Sequence, residues 1–125
     1  MRGAEAKRVT AARLQVDLRT VFADAVVEFA EQDLFRVTMR DGWAASGSAI
    51  DDDDEVSNQE VERLVAAHAE DMGDNLLPDD FIEPWPLCPT HRDHPLQPRT
   101  VRGRACWVCL SDNSIALPIG SLADG

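Results

Sequence analysis

Two clips, Cys88-Pro-Thr-His91 and Cys106-Trp-Val-Cys109, stand fourteen residues apart and constrain this chain more than any other feature. They hold all three cysteines, and two of the three histidines, His91 and His94, lie in the same window. A spacing of two lets a backbone curl until both side chains face one ion, and a closed tetrahedral site takes four sulfur or nitrogen ligands. Cys88, His91, Cys106 and Cys109 are therefore the predicted ligands, with zinc as the ion; His94 is an alternative to His91 as the fourth. The stretch HPLQPRTVRGRACW predicts two short strands folded about Arg102-Gly103, a hairpin that returns the second clip to the first. A third strand is expected in SIALPIG, residues 114–120, where Pro118 is tolerable at an edge.

Other chemistries compete for the same residues. A reversible Cys106–Cys109 disulfide of the thioredoxin kind needs its motif at a strand-to-helix junction, whereas Asp112, Asn113 and Ser114 signal a turn. Plain buried thiols are the third reading. Catalytic zinc fits worst, because four ligands close the shell and leave no open position.

Residues 85 to about 122 resemble a zinc ribbon, with Cys88, His91, Cys106 and Cys109 matching its two knuckles. A His stands where the ribbon's usual ligand is Cys. The segment is also similar to the C-terminal part of small proteins from GC-rich, actinobacteria-like bacteria. The residues that carry this second likeness are Trp85 to Pro89, His91, His94 to Leu96, Cys106, Cys109 and Ile119 to Leu122. The resemblance implies a zinc-binding module and no particular activity.

At 125 residues the chain is one domain, or one domain with a small stapled module. The expected division is an α+β body over 1–83 and the ribbon-like segment over 84–125. Residues 1–9 read as a frayed polar start. From Thr10, a reasonable N-cap, Leu14, Leu18, Val21, Phe22, Ala25 and Phe29 share one helical face. AVVEF, residues 25–29, also suits a strand, and LFRVTMR, residues 34–40, alternates as a half-buried strand does. A helix over about 10–23 followed by a hairpin with a turn at AEQD is preferred to one helix reaching about Gln32. WAASGSAIDDDDE, residues 43–55, reads as a loop that ends in the acidic run 51–55.

Ser57 to Glu60 forms a capping box, with Val56 and Val61 placed as a hydrophobic staple. Val61, Leu64, Val65, His68 and Met72 make the apolar stripe of a second helix, closed by Gly73 as C-cap. His68 on that stripe is a packing residue. Residues 74–87 form a linker whose Leu76, Leu77, Phe81, Ile82 and Trp85 press onto the core. The expected class is α+β: an N-terminal helix and β-hairpin packed with a second helix, followed by a small ribbon-like β module.

Charge narrows the partners. The net charge of -11 divides into +1 over residues 1–40, -13 over 41–83 and +1 over 84–125. So acidic a middle repels phosphates and argues against direct nucleic-acid binding there; it favours a larger protein or complex with a basic surface. Arg92, Arg99, Arg102 and Arg104 form a small basic patch in the last third. No apolar run approaches the roughly 18 to 20 residues that cross a bilayer. The chain holds no G-x-S-x-G, P-loop, dinucleotide fingerprint or H-E-x-x-H. The expectation is a cytoplasmic, non-enzymatic zinc-binding accessory protein, with Trp43, Phe81, Trp85 and Trp107 as candidate anchors. The alternative is a regulator of nucleic-acid machinery, either a polymerase- or ribosome-associated ribbon or an acidic mimic of DNA.

Overall fold

Helix α1 begins well before Thr10. It runs Gly3–Leu18 in the computed structural model, which describes residues 1–30, 34–40, 42–48, 50–76, 85–114 and 116–124. Thr10 is not a cap: it is buried in mid-helix, and its hydroxyl donates back to the Ala6 carbonyl at 2.8 Å. The early start has a partner remote in sequence. No intrahelical carbonyl can satisfy the first amides of a helix. Here Gly3 and Ala4 donate to the carbonyls of Asp54, at 2.7 Å, and Asp52, at 3.1 Å. This close approach demands glycine, since a Cβ at position 3 would lie 1.8 Å from the Asp51 carbonyl oxygen. The acidic run is irregular, as expected, but its backbone is docked on α1 while its carboxylates face outward. Lys7 holds Asp52 there at 2.9 Å.

The helix stops at Leu18 rather than near residue 23. Arg19 donates to the Ala25 carbonyl at 2.8 Å as the chain turns into β1, Val26–Ala30. β1 pairs antiparallel with β2, Leu34–Met39, so the preferred helix followed by a hairpin is what forms, not one helix reaching about Gln32. Residues 31–33, where the turn was expected, lie outside the described residues, as do linker residues 77–84 with Leu77, Phe81 and Ile82. A third strand, β3 (Gly42–Gly47), pairs with β2 where sequence predicted a loop. Its small residues have little strand preference of their own. Pairing Ala44 with Val37 and Ser46 with Phe35 supplies what propensity does not. Alternation then buries Val27, Phe35 and Val37 on one face and leaves Val26, Leu34 and Trp43 exposed.

Helix α2, Asn58–Asp71, starts at the predicted cap: the Ser57 hydroxyl accepts the Glu60 amide at 3.2 Å, and Val56 and Val61 are buried beside it. Gly73 does not end it. A π-helical turn, Met72–Leu76, carries the chain through that glycine. His68 is buried with its ring centroid 5.1 Å from Phe29 and 4.5 Å from Phe35, the packing role expected. Burial depresses its pKa, and Asp71 opposes this only in part.

The second sheet is antiparallel in the order β4 (Gln97–Val101), β5 (Arg104–Val108), β6 (Ala116–Pro118). Arg102 and Gly103 turn the hairpin with φ of 52° and 79°, as a two-residue connection between twisted strands requires. Pro118 sits on an edge strand, where its missing amide costs no ladder bond. The class is therefore α+β, with two helices and two three-stranded antiparallel sheets among the described residues. Among them, no helix is long and apolar enough to cross a membrane.

Three side chains bind the second sheet to the helices. Asp17, buried on α1, accepts the Trp107 indole at 2.7 Å and the amides of Gly120 and Leu122 at 2.6 and 3.0 Å. Burial pushes its pKa up further than these donors hold it down. Arg13 forks onto Glu62 at 2.7 and 3.1 Å and donates to the Ile119 carbonyl at 2.8 Å. Glu62 in turn accepts the Ala105 amide of β5 at 2.9 Å. Burial would raise the Glu62 pKa, but Arg13 and that amide outweigh it and hold the carboxyl below its usual range. Leu14, Val65, Leu96, Trp107 and Ile119 belong to one buried cluster.

Candidate metal centre

The first half of the site is a closed loop. Leu87 bridges Pro95, the Cys88 amide donates to the His94 carbonyl at 3.0 Å, and the Arg92 amide donates to the Cys88 carbonyl at 3.0 Å. Arg92 takes a left-handed φ of 60° to make the bend. A chain folded back so tightly turns Cys88, His91 and His94 toward a common point.

The second half follows β5. Cys109 lies one residue past the strand, in a turn closed by the Asn113 amide on the Cys109 carbonyl at 2.8 Å. Asn113 has φ 57°, and the Ser114 amide donates to the Asp112 carboxylate at 2.9 Å, completing an Asx turn. Register joins the halves. Gln97, which follows Cys88's loop, pairs with Val108, the residue before Cys109.

The structure gathers Cys88, His91, His94 and Cys109, whose donor atoms all lie within 4.8 Å of one another. His91 Nδ1 is 3.4 Å from each sulfur, His94 Nε2 is 3.8 Å from Cys109 Sγ, and the two nitrogens are 3.2 Å apart. Both cysteines are buried, and the two imidazoles are partly exposed.

Three of the four predicted ligands are thus together, and Cys106 is not with them; His94 enters beside His91 rather than replacing it. The reason is local. Cys106 is in the middle of β5, paired to Arg99 on one side and Pro118 on the other. Three residues of extended chain carry Cys109 about 10 Å further on, so C-x2-C in a strand is not a clip. Cys106 instead lies in the field of Arg104, Arg13 and Glu62, and burial pushes its thiol pKa up. Sequence held one signal for His94, its own i+3 spacing from His91, and one against Cys106, the hairpin about Arg102-Gly103 that places ACW in a strand.

Outer contacts orient both rings. His94 Nδ1 meets the Pro95 carbonyl at 3.0 Å, which makes that nitrogen the proton carrier and leaves Nε2 a lone pair for an ion. His91 turns Nε2 toward the Asp112 carboxylate at 3.4 Å and offers Nδ1 inward. Burial alone would raise the Cys88 thiol, but the amides of His91 and Thr90 and the His91 ring bring it down to about 7. Burial pushes the Cys109 thiol up despite the amides of Asp112 and Ser111. His91 is raised, chiefly by Cys88 and then by Asp112. Soft sulfur donors, borderline imidazole nitrogens and a common focus make this a group able to hold a transition-metal ion. Comparison with protein-family models, curated proteins and solved structures finds no match to this chain.

Proposed function

We propose that this protein is a non-enzymatic, zinc-binding accessory protein with a ribbon-like C-terminal module that docks onto a larger protein complex in the cytoplasm. The spacing of the four donors carries the reading. Tetrahedral zinc at its usual bond lengths sets about 3.5 Å between sulfur and nitrogen and about 3.3 Å between nitrogens. The donors already stand at 3.4, 3.4 and 3.8 Å and at 3.2 Å. Two thiolates balance one divalent ion, so the shell is neutral rather than anionic as three cysteines would make it. Four protein ligands leave no position for a reacting water, which suits a structural ion.

The docking half of the proposal rests on the body. Trp43 is 67% exposed on the outer face of β3, with Val26 and Leu34 on the same face. Large exposed aromatics on a rigid sheet are the usual anchors of an interface. Trp107 is buried and Trp85 half-buried, so neither serves as such an anchor. The outward carboxylates of Asp53 and Glu55 select a basic partner and speed encounter.

Elemental analysis with native mass, before and after chelation, tests the metal: one zinc per chain is expected, and folded protein free of divalent cation would refute it. For docking, a stoichiometric partner should come down from the organism's own extract at low salt and be lost with Trp43→Ala. Capture indifferent to both salt and Trp43 would refute that half.

A further inference from the structure

We infer that Cys88 and Cys109 are also a disulfide-forming pair, so that the same two loops are stapled either by a metal ion or by a sulfur–sulfur bond. The first state rests on the metal reading above; the second stands on the geometry of the thiols alone.

The two sulfurs lie within 4.8 Å of each other, Cys88 in an irregular loop and Cys109 at the first position past β5, where its own turn begins. Bonding needs about 2.05 Å between sulfurs, so the pairing requires the two thiols to swing toward each other from within that distance. Cys106 has no such freedom. It is fixed between two paired strands and faces Arg13, Glu62 and Arg104. With three free thiols in the chain, one pairing is therefore open. The partly exposed rings of His91 and His94 stand beside the buried sulfurs, with nitrogens 3.4 and 3.8 Å from them. A bound ion engages both sulfurs and fixes both rings beside them. When the ion leaves, the rings are released and the thiols become reachable.

The oxidant class is a hydroperoxide. With hydrogen peroxide, the simplest member, one thiolate attacks a peroxide oxygen, forming an S–O bond, breaking O–O and releasing hydroxide (an organic hydroperoxide releases its alkoxide instead). The second thiolate attacks the resulting sulfenic sulfur, forming S–S and expelling a second hydroxide. The sulfur pair gives up two electrons, and the hydroxides take up protons to become water. A thiol reductant reverses the bond by exchange.

The test uses the full chain and Cys106→Ser, each metal-free and zinc-loaded, treated with stoichiometric hydrogen peroxide and followed by intact mass and peptide mapping. Metal-free protein should lose the mass of two hydrogens, with the link mapped to Cys88–Cys109 in both chains. The linked form should take up no zinc until reduced, and zinc-loaded protein should react about ten-fold slower. A link through Cys106 or sulfinic acid without a link would overturn the pairing, and equal rates in zinc-bound and metal-free protein would overturn the exclusion of one state by the other. Protein that forms the link yet never takes up metal would overturn the metal reading and leave the pairing intact. Protein that binds zinc and forms no link would do the reverse.

Discussion

Asp112 accepts the Ser114 amide through one oxygen and faces the His91 ring through the other, so one residue shapes the second turn and orients a proposed ligand of the first loop. The hydrogen bonds from Ser114 hold its carboxyl below the usual range, which keeps it ionised for that task. Asp112→Ala should lower metal affinity by about 10- to 100-fold, read by competition against a chromophoric chelator. His68 gives a second expectation. Its folded pKa lies below the ordinary 6.5, so the folded state binds its proton less readily than the unfolded one. Stability from this residue is complete above 6.5 and is lost as pH falls through that value toward the folded pKa. In His68→Leu the loss of unfolding free energy between about pH 7 and pH 5.5 should shrink, measured by urea titration. Residue types pointed to three members of the cluster, Cys88, His91 and Cys109, and to this packing histidine. What sequence concealed was that a paired strand would pull Cys106 away and that His94 would join.

At the scale of elements, strong local signals were legible and remote ones were not. The Ser57 cap, the Arg102-Gly103 turn and the alternation of β2 are read from neighbours a few residues away, and each stands where expected. The start of α1 and the existence of β3 depend on partners far along the chain, and no local rule reports them. Gly3 is the sharpest case. Gly3→Ala should destabilise the fold by about 2 kcal/mol or more, because the obstructing atom belongs to the Asp51 backbone and cannot rotate aside. Hydrogen exchange should show protection lost first at the start of α1 and in residues 51–56, whereas an Ala elsewhere in a helix normally stabilises it.

For the whole molecule, the links from Asp17, Arg13 and Glu62 run between the helices and the second sheet without passing through the metal ligands. The proposed ion would therefore hold the two loops, whose buried cysteines sit at the edge of a core that has other links of its own. Chelation should release amide protection in residues 87–95 and 109–113 while α1, α2 and β5 keep theirs, measured by hydrogen exchange and mass spectrometry. Global collapse on chelation would instead show that the ion carries the entire fold, as it does in modules with too little core.

The three tryptophans sit at three depths: Trp43 out on a sheet face, Trp85 edge-on to Trp107, and Trp107 buried on Asp17. The protein thereby carries its own optical labels. Quenching by acrylamide should reach Trp43 first and be relieved when a partner covers the sheet. A red shift of the shielded emission should mark the moment the C-terminal strands let go of α1, so capture and unfolding are separable in one cuvette by colour.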